Sequence, residues 1–256
     1  MNNEDEARMV VFKQWAAKSY KYVAPFYYGP PPPFDLRNKT LNIGSVLLMN
    51  GLSNSFGVTC AHCVDGFLTR SKSEPNILLR IGDMYVTDFE SRIIDLDKNL
   101  DLCSFRIDPF ELRLIKENGE FLTWHQPVEM TENMSVLIVG FPGHVFRPSS
   151  ELNLNIGSIS ILEQTRRGNL SSASFIIELD TNDWVFVQNP SQIKIEEVEH
   201  FGGLSGCPIF IQNGLDSLLA GIVYESPVSQ NADKIEYPYI KSRYNVFGMN
   251  GEILRS

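Results

Sequence analysis

Phe201-Gly202-Gly203-Leu204-Ser205-Gly206-Cys207-Pro208-Ile209-Phe210 sets a serine between glycines on a turn that runs straight into an apolar strand. A hydroxyl in such a turn is presented rather than packed, because glycine lacks Cβ, takes φ > 0 and lets backbone approach a ligand closely. The amides of Gly203 and Ser205 can then converge on one spot beside the Ser205 hydroxyl, which is the arrangement of an oxyanion hole. The same letters taken alone also describe a plain β-turn, and the rest of the chain has to decide between the two.

A serine hydroxyl is almost wholly protonated at neutral pH and needs a base within hydrogen-bond reach. The chain has four histidines, His62, His125, His144 and His200. His62 follows the strand-like run Phe56-Gly57-Val58-Thr59-Cys60, where the chain turns into Ala61-His62-Cys63-Val64. His125 and His144 fall in polar connectors, and His200 is too close to Ser205 in sequence for easy side-chain alignment. The base needs a carboxylate to fix its tautomer and stabilise the imidazolium. Asp95, Asp97 and Asp101 share the run from Ile93 to Cys103. Asp101 opens an apolar strand, and period-two alternation puts it on one face with Cys103, Phe105 and Ile107. Asp95 and Asp97 read as turn acids.

The bulk of the chain is that of an ordinary globular protein: 256 residues, 43% hydrophobic and 21% charged. A net charge of -9, with no basic cluster longer than Arg166-Arg167, argues against a nucleic-acid surface. No apolar run approaches the roughly 18 to 20 residues of a membrane span. The opening Asn2-Asn3-Glu4-Asp5-Glu6 is the reverse of a signal peptide's basic start, so a cytoplasmic location with no membrane partner is expected. Four unevenly placed cysteines, Cys60, Cys63, Cys103 and Cys207, read as free thiols. A structural zinc site on Cys60-Ala61-His62-Cys63 would need a second close ligand pair, so no metal or cofactor is expected.

Phe12, Trp15, Ala16, Tyr20 and Val23 recur at helical spacing, which predicts one amphipathic helix ending before Pro25. The tetraproline Pro30 to Pro33 then reads as a stiff connector, making residues 1–38 an arm. Short β-rich runs follow, in groups at 41–107 and 135–248, with no helices alternating between them. The expected fold is all-β: two packed six-stranded antiparallel β-barrels, the first over 39–115 and the second over 116–256, with the N-terminal helical arm.

Thr59-Cys60-Ala61-His62-Cys63 resembles the T-A-A-H-C box of trypsin-like (chymotrypsin-fold) serine peptidases, Asp101-Leu102-Cys103 their D-I-A, and Gly203 to Pro208 their G-D-S-G-G-P. The order His, Asp, Ser is also theirs. Gly140-Phe141-Pro142-Gly143 resembles the G-Y-P-G turn of bacterial-type members, and Gly221-Ile222-Val223 the strand that lines their substrate cleft. The resemblance spans about residues 40–250. It implies a serine endopeptidase with the triad His62, Asp101 and Ser205, and an oxyanion hole from the amides of Gly203 and Ser205. It also implies a pocket with Glu199, six residues before the serine, at its base, where a substrate Lys or Arg would sit, and with Tyr224 and Ser226 near its wall.

Three departures qualify that expectation. Leu204 stands where zymogen-activated relatives have the Asp that pairs with a new N-terminus. Leu47 stands where the cysteine after the histidine would find its partner, and Tyr224 where many relatives have a Ser supporting the Asp. The alternative function is a non-catalytic module on the same fold that binds a peptide or protein partner. With no internal switch evident, the arm, or a regulatory partner bound to it, is expected to control access to the cleft.

Overall fold

The protein is described by a computed structural model covering residues 3–33, 41–125, 134–143, 145–148, 154–164, 174–178, 184–188, 203–213, 216–225 and 239–244. The chain opens with helix α1 (Asn3–Tyr20) and continues through β1 (Val23–Gly29), β2 (Asn42–Asn50), β3 (Ser55–Thr59), helix α2 (Ala61–Ser73), β4 (Leu78–Ile81), β5 (Met84–Val86), β6 (Ile93–Asp97) and β7 (Leu102–Arg106). After β8 (Leu122–Thr123) come β9 (Ser135–Gly140), β10 (Phe146–Pro148), β11 (Leu154–Ile156), β12 (Ser158–Gln164), β13 (Ser174–Glu178), β14 (Trp184–Gln188), β15 (Pro208–Asn213), β16 (Asp216–Glu225) and β17 (Tyr239–Tyr244).

The strands form two large sheets. The first is eight-stranded in the order β5-β4-β1-β2-β3-β7-β6, with β8 parallel to β2, and the second is seven-stranded in the order β13-β17-β16-β15-β9-β12-β14. Two mainly antiparallel β bodies match the expectation, whereas six strands in each do not. Among the described residues the first body gains a strand from the N-terminal segment and another from β8, so sheet pairing runs past the boundary expected at residue 115.

Alternation decides where the core sits. Along β2, Val46 and Leu48 enter the interior of the first sheet with Phe26, Phe105 and Ile107, while Leu47 and Met49 enter a cluster shared with the second sheet. Along β9, Leu137 and Val139 join that shared cluster, and Val136 and Ile138 turn to the second sheet's own interior beside Ile209 and Cys207. Both faces of these strands are therefore buried, and each fully buried aliphatic side chain contributes about 1.5 to 3 kcal/mol.

The arm is the main correction. Helix α1 forms as expected and buries Phe12, Trp15 and Ala16, but the residues between it and the tetraproline are a central strand of the first sheet, so 1–38 is not an arm set apart from the body. Val23–Gly29 pairs with β2 on one side and β4 on the other. Pro25 has no N–H to give the ladder, which keeps proline out of most sheet interiors. It is tolerated because pairing with β4 begins only at Phe26. Opposite it, Ser45 turns its amide away to Ser205. The Trp15 indole donates to Ser217 Oγ at 2.9 Å and Ser19 Oγ lies 2.7 Å from the same atom, fastening α1 to β16. Lys116, whose pKa burial pushes down to about 7, donates to the carbonyls of Tyr20 and Val23 where α1 passes into β1. No helix among the described residues is long and apolar enough to cross a membrane.

Candidate active site

His62 is the second residue of α2, which begins as β3 ends. Ala61, Val64 and Leu68 sit at helical spacing here, a signal that the strand reading of this region passed over. The residue before the helix, Cys60, provides no side-chain cap. The missing acceptor arrives from elsewhere in the chain: Asp101 Oδ1 accepts the His62 backbone N–H at 2.9 Å, satisfying one of the amides that every helix N-terminus leaves open. The other carboxylate oxygen, Oδ2, lies 2.8 Å from His62 Nδ1. One carboxylate thus fixes both the main chain and the ring of the histidine.

Asp101 is placed by its turn. Asp97 Oδ1 accepts the amides of Asn99 and Leu100 at 2.8 and 2.9 Å, which is the turn role expected of it. The chain then reaches Asp101 in the left-handed region, φ 54°, a conformation that Asp tolerates better than most residues and that clusters at functional sites. The Asp101 carboxylate raises the His62 pKa above its ordinary 6.5, with a smaller contribution in the same direction from Cys63 and burial opposing both.

Ser205 belongs to the second sheet, yet its turn is held by the first. Pairing of β2 with β3 ends at Leu47 opposite Val58, so Ser45, two residues beyond, has a main chain free of the ladder on that side. Its N–H donates to the Ser205 carbonyl at 2.8 Å. Its buried hydroxyl donates to the Gly203 carbonyl at 3.2 Å and accepts from the Phe141 amide at 3.3 Å and the Cys207 thiol at 3.2 Å, using the one donor and both acceptors that a serine has. The glycines are required here. At Gly203, φ 97°, a Cβ would stand 2.4 Å from the Phe141 carbonyl oxygen, and at Gly206, φ 87°, 2.0 Å from that of Ser45. Nothing in the sequence around Ser45 marks it, and the reading from sequence missed it.

Two further contacts bring the His62 and Ser205 segments together. A Cβ on Gly44 would lie 3.1 Å from Cys63 Sγ and 3.3 Å from the Ser205 carbonyl oxygen, so the two turns meet across that glycine. The Val223 carbonyl accepts both the Gly206 amide, at 2.8 Å, and the Cys60 thiol, at 3.2 Å. All four cysteines are free and buried, and burial pushes the Cys103 and Cys207 thiols up to about 12.

His125 is occupied elsewhere, its Nε2 accepting the Leu219 amide at 3.0 Å. Tyr224 is half-buried against the interior of the first sheet. Glu199, Ser226, His144 and His200 lie outside the described residues. A cavity of about 900 Å³ is lined by Tyr20, Tyr27, Asp83, Lys116, Phe141 and Ile156; it shares Phe141 with the support of Ser205, but His62, Asp101 and Ser205 do not line it.

Solved structures similar to this one include the thermostable serine protease AL20 from an extremophilic microorganism, at 12% identity over 89% of this chain and 92% of that one, with a TM-score of 0.49. The protease Anisep from Arthrobacter nicotinovorans is similar at 11% identity over 88% of this chain and 90% of that one, TM-score 0.46. Rv3671c from M. tuberculosis, in an inactive mutant form, is similar at 14% identity over 92% of this chain and 87% of that one, TM-score 0.44. No family model and no curated protein matches the sequence.

Proposed function

We propose that this chain is a serine endopeptidase of the trypsin-like, chymotrypsin-fold kind, with Ser205 as nucleophile, His62 as general base and Asp101 as its orienting carboxylate. The observation that carries the reading is the pair of hydrogen bonds that the Asp101 carboxylate accepts from His62, at 2.9 Å from the main-chain N–H and 2.8 Å from Nδ1. With Nδ1–H donated to Asp101, the other ring nitrogen, Nε2, is left as the atom that takes the Ser205 proton. The acyl-enzyme then forms on Ser205, and the amides of Gly203 and Ser205 stabilise the oxyanion. The same imidazolium returns its proton to the leaving amine.

Four free thiols fit a reducing, cytoplasmic setting, and the substrate is a protein or peptide. Glu199 at the base of the side-chain pocket would favour Lys or Arg before the scissile bond. A peptide library cleaved by wild type and by Glu199→Gln tests that assignment, and a basic preference that survives the substitution removes Glu199 from the pocket. Turnover of a generic peptide ester tests the activity itself. Ser205→Ala should lower kcat on the order of 10⁶-fold while the circular dichroism spectrum stays unchanged. A folded wild type with no turnover would make the chain a peptide-binding module instead.

A further inference from the structure

Against the T-A-A-H-C box that it resembles, Thr59-Cys60-Ala61-His62-Cys63 carries a thiol, Cys60, where the box has its first alanine. Cys60 is fully buried at the start of α2, with its Sγ turned to the Val223 carbonyl. That thiol stands beside the histidine and carboxylate already described: donor atoms of Cys60, His62 and Asp101 all lie within 4.8 Å of one another. Among the described residues, this is the one group of three such side chains gathered so closely.

Sulfur, imidazole nitrogen and carboxylate oxygen are the three donor types that zinc takes. A tetrahedral ion with donors at roughly 2.0 to 2.3 Å holds them about 3.3 to 3.8 Å apart, so a group already within 4.8 Å has to draw in by no more than about 1.5 Å to hold one, with the Cys60 thiol leaving the Val223 carbonyl. The sequence spacing argued against a structural zinc because Cys60 to Cys63 lacks a second ligand pair. The fold supplies a different third ligand, Asp101, from the turn before β7. His62 is half-exposed, its side chain at 51%, while Cys60 is fully buried, so an ion would enter from the His62 side and three protein ligands would leave its fourth position to water. Three protein ligands with one open position is the pattern of an exchangeable site rather than a closed structural one.

We propose that Cys60, His62 Nδ1 and Asp101 form an inhibitory site for a zinc-class divalent cation. The ion replaces the Nδ1 and thiol protons, which leave to solvent. It takes over the Asp101 carboxylate and breaks the Nδ1–H···Oδ2 hydrogen bond that fixes the tautomer of His62. Binding stands on the ligand set alone, and its effect on turnover rests on the peptidase reading above. Hard cations that prefer an all-oxygen shell, Mg²⁺ and Ca²⁺, lack their ligands here.

The test titrates Co²⁺, whose thiolate bonds absorb in the near ultraviolet and visible, into the whole reduced chain. A charge-transfer band should saturate at one equivalent, be abolished by Zn²⁺, withstand excess Mg²⁺, and be absent from Cys60→Ala and Cys60→Ser. Serine keeps a donor for the Val223 carbonyl if alanine impairs folding. In the peptide-ester assay, Zn²⁺ should stop wild-type turnover reversibly on chelation. The Cys60 variants should need a Zn²⁺ concentration raised by at least the roughly 10 to 100-fold that loss of an outer-shell metal partner costs. No band in wild type, a band retained without Cys60, or equal Zn²⁺ sensitivity of variant and wild type would overturn the proposal. The Co²⁺ titration does not require peptidase activity, so failure of the metal site and failure of the peptidase reading give different results.

Discussion

His62 and Ser205 are held by different physics. On the first sheet, the position of His62 comes from charge: one carboxylate, reached through a left-handed Asp101, grips both the main chain and the ring. On the second, the position of Ser205 comes from backbone: two glycines at positive φ and the hydroxyl and amide of Ser45 hold the carbonyls on either side of Leu204. A group fixed by charge can be altered chemically while its place in the fold survives. A group fixed by backbone geometry moves whenever its support is cut. The Asp101 side should therefore respond to substitution mainly in chemistry and pH dependence, and the Ser205 side in stability and rate together.

Among substitutions in the supports of the two groups, the largest effect should come from Asp101→Asn. Asparagine can still accept the His62 amide at the start of α2, but its side chain favours the wrong tautomer of the ring, so kcat should fall about 10⁴-fold, or roughly 5.5 kcal/mol of barrier. Denaturant unfolding should show a small loss by comparison, on the order of a helix cap at about 0.5 to 2 kcal/mol. A large loss of stability with little loss of rate would reverse the comparison.

Ser45→Ala should be intermediate and mixed. Small displacements of reacting groups cost up to about 10²-fold, and kcat should fall by that order while KM holds. Leaving the Phe141 amide and Gly203 carbonyl without their partner should cost about 1 to 3 kcal/mol of stability. Unchanged kcat in the folded variant would release Ser205 from its dependence on the first sheet.

The pH profile sharpens the same contrast. A general base must be neutral to act, and Asp101 raises the His62 pKa above 6.5. The acid limb of kcat/KM should lie above 6.5 in wild type and move down toward it in Asp101→Asn, while Ser45→Ala leaves it in place. For stability, the sign runs the other way with rising pH. Because the folded pKa is the higher one, the contribution of the protonated His62 with Asp101 is full below the unfolded value and fades as pH climbs through the folded one.

The smallest effect is expected away from the site. Trp15→Phe removes the indole donor to Ser217 and should cost about 1 kcal/mol with no change in kcat. By contrast, removing residues 1–38 would take out a central strand of the first sheet, so loss of folding rather than release of the cleft is the expected outcome.

Several of these features were within reach of the sequence for identifiable reasons. Alternation and turn residues reveal the two β bodies, and the need of a histidine for a carboxylate singles out Asp101 at the head of an apolar run. What escaped depends on pairing that no single stretch encodes. The role of Ser45 exists because the pairing of β2 with β3 stops at Leu47 opposite Val58. The strand Val23–Gly29 hides behind Pro25, acceptable only because β4 ends short of it. Helix α2 carries helical spacing, but its N-terminus is capped by a residue from a distant turn, so no local capping signature announces it.

The central claim is that His62, oriented by Asp101, makes Ser205 a nucleophile. It is tested most directly by treating the folded chain with a fluorophosphonate and mapping the adduct by mass spectrometry. The expected result is a single phosphonyl group on Ser205, absent from Ser205→Ala and from His62→Ala at matched exposure. An adduct on another residue, or undiminished labelling of Ser205 in folded His62→Ala, would contradict it.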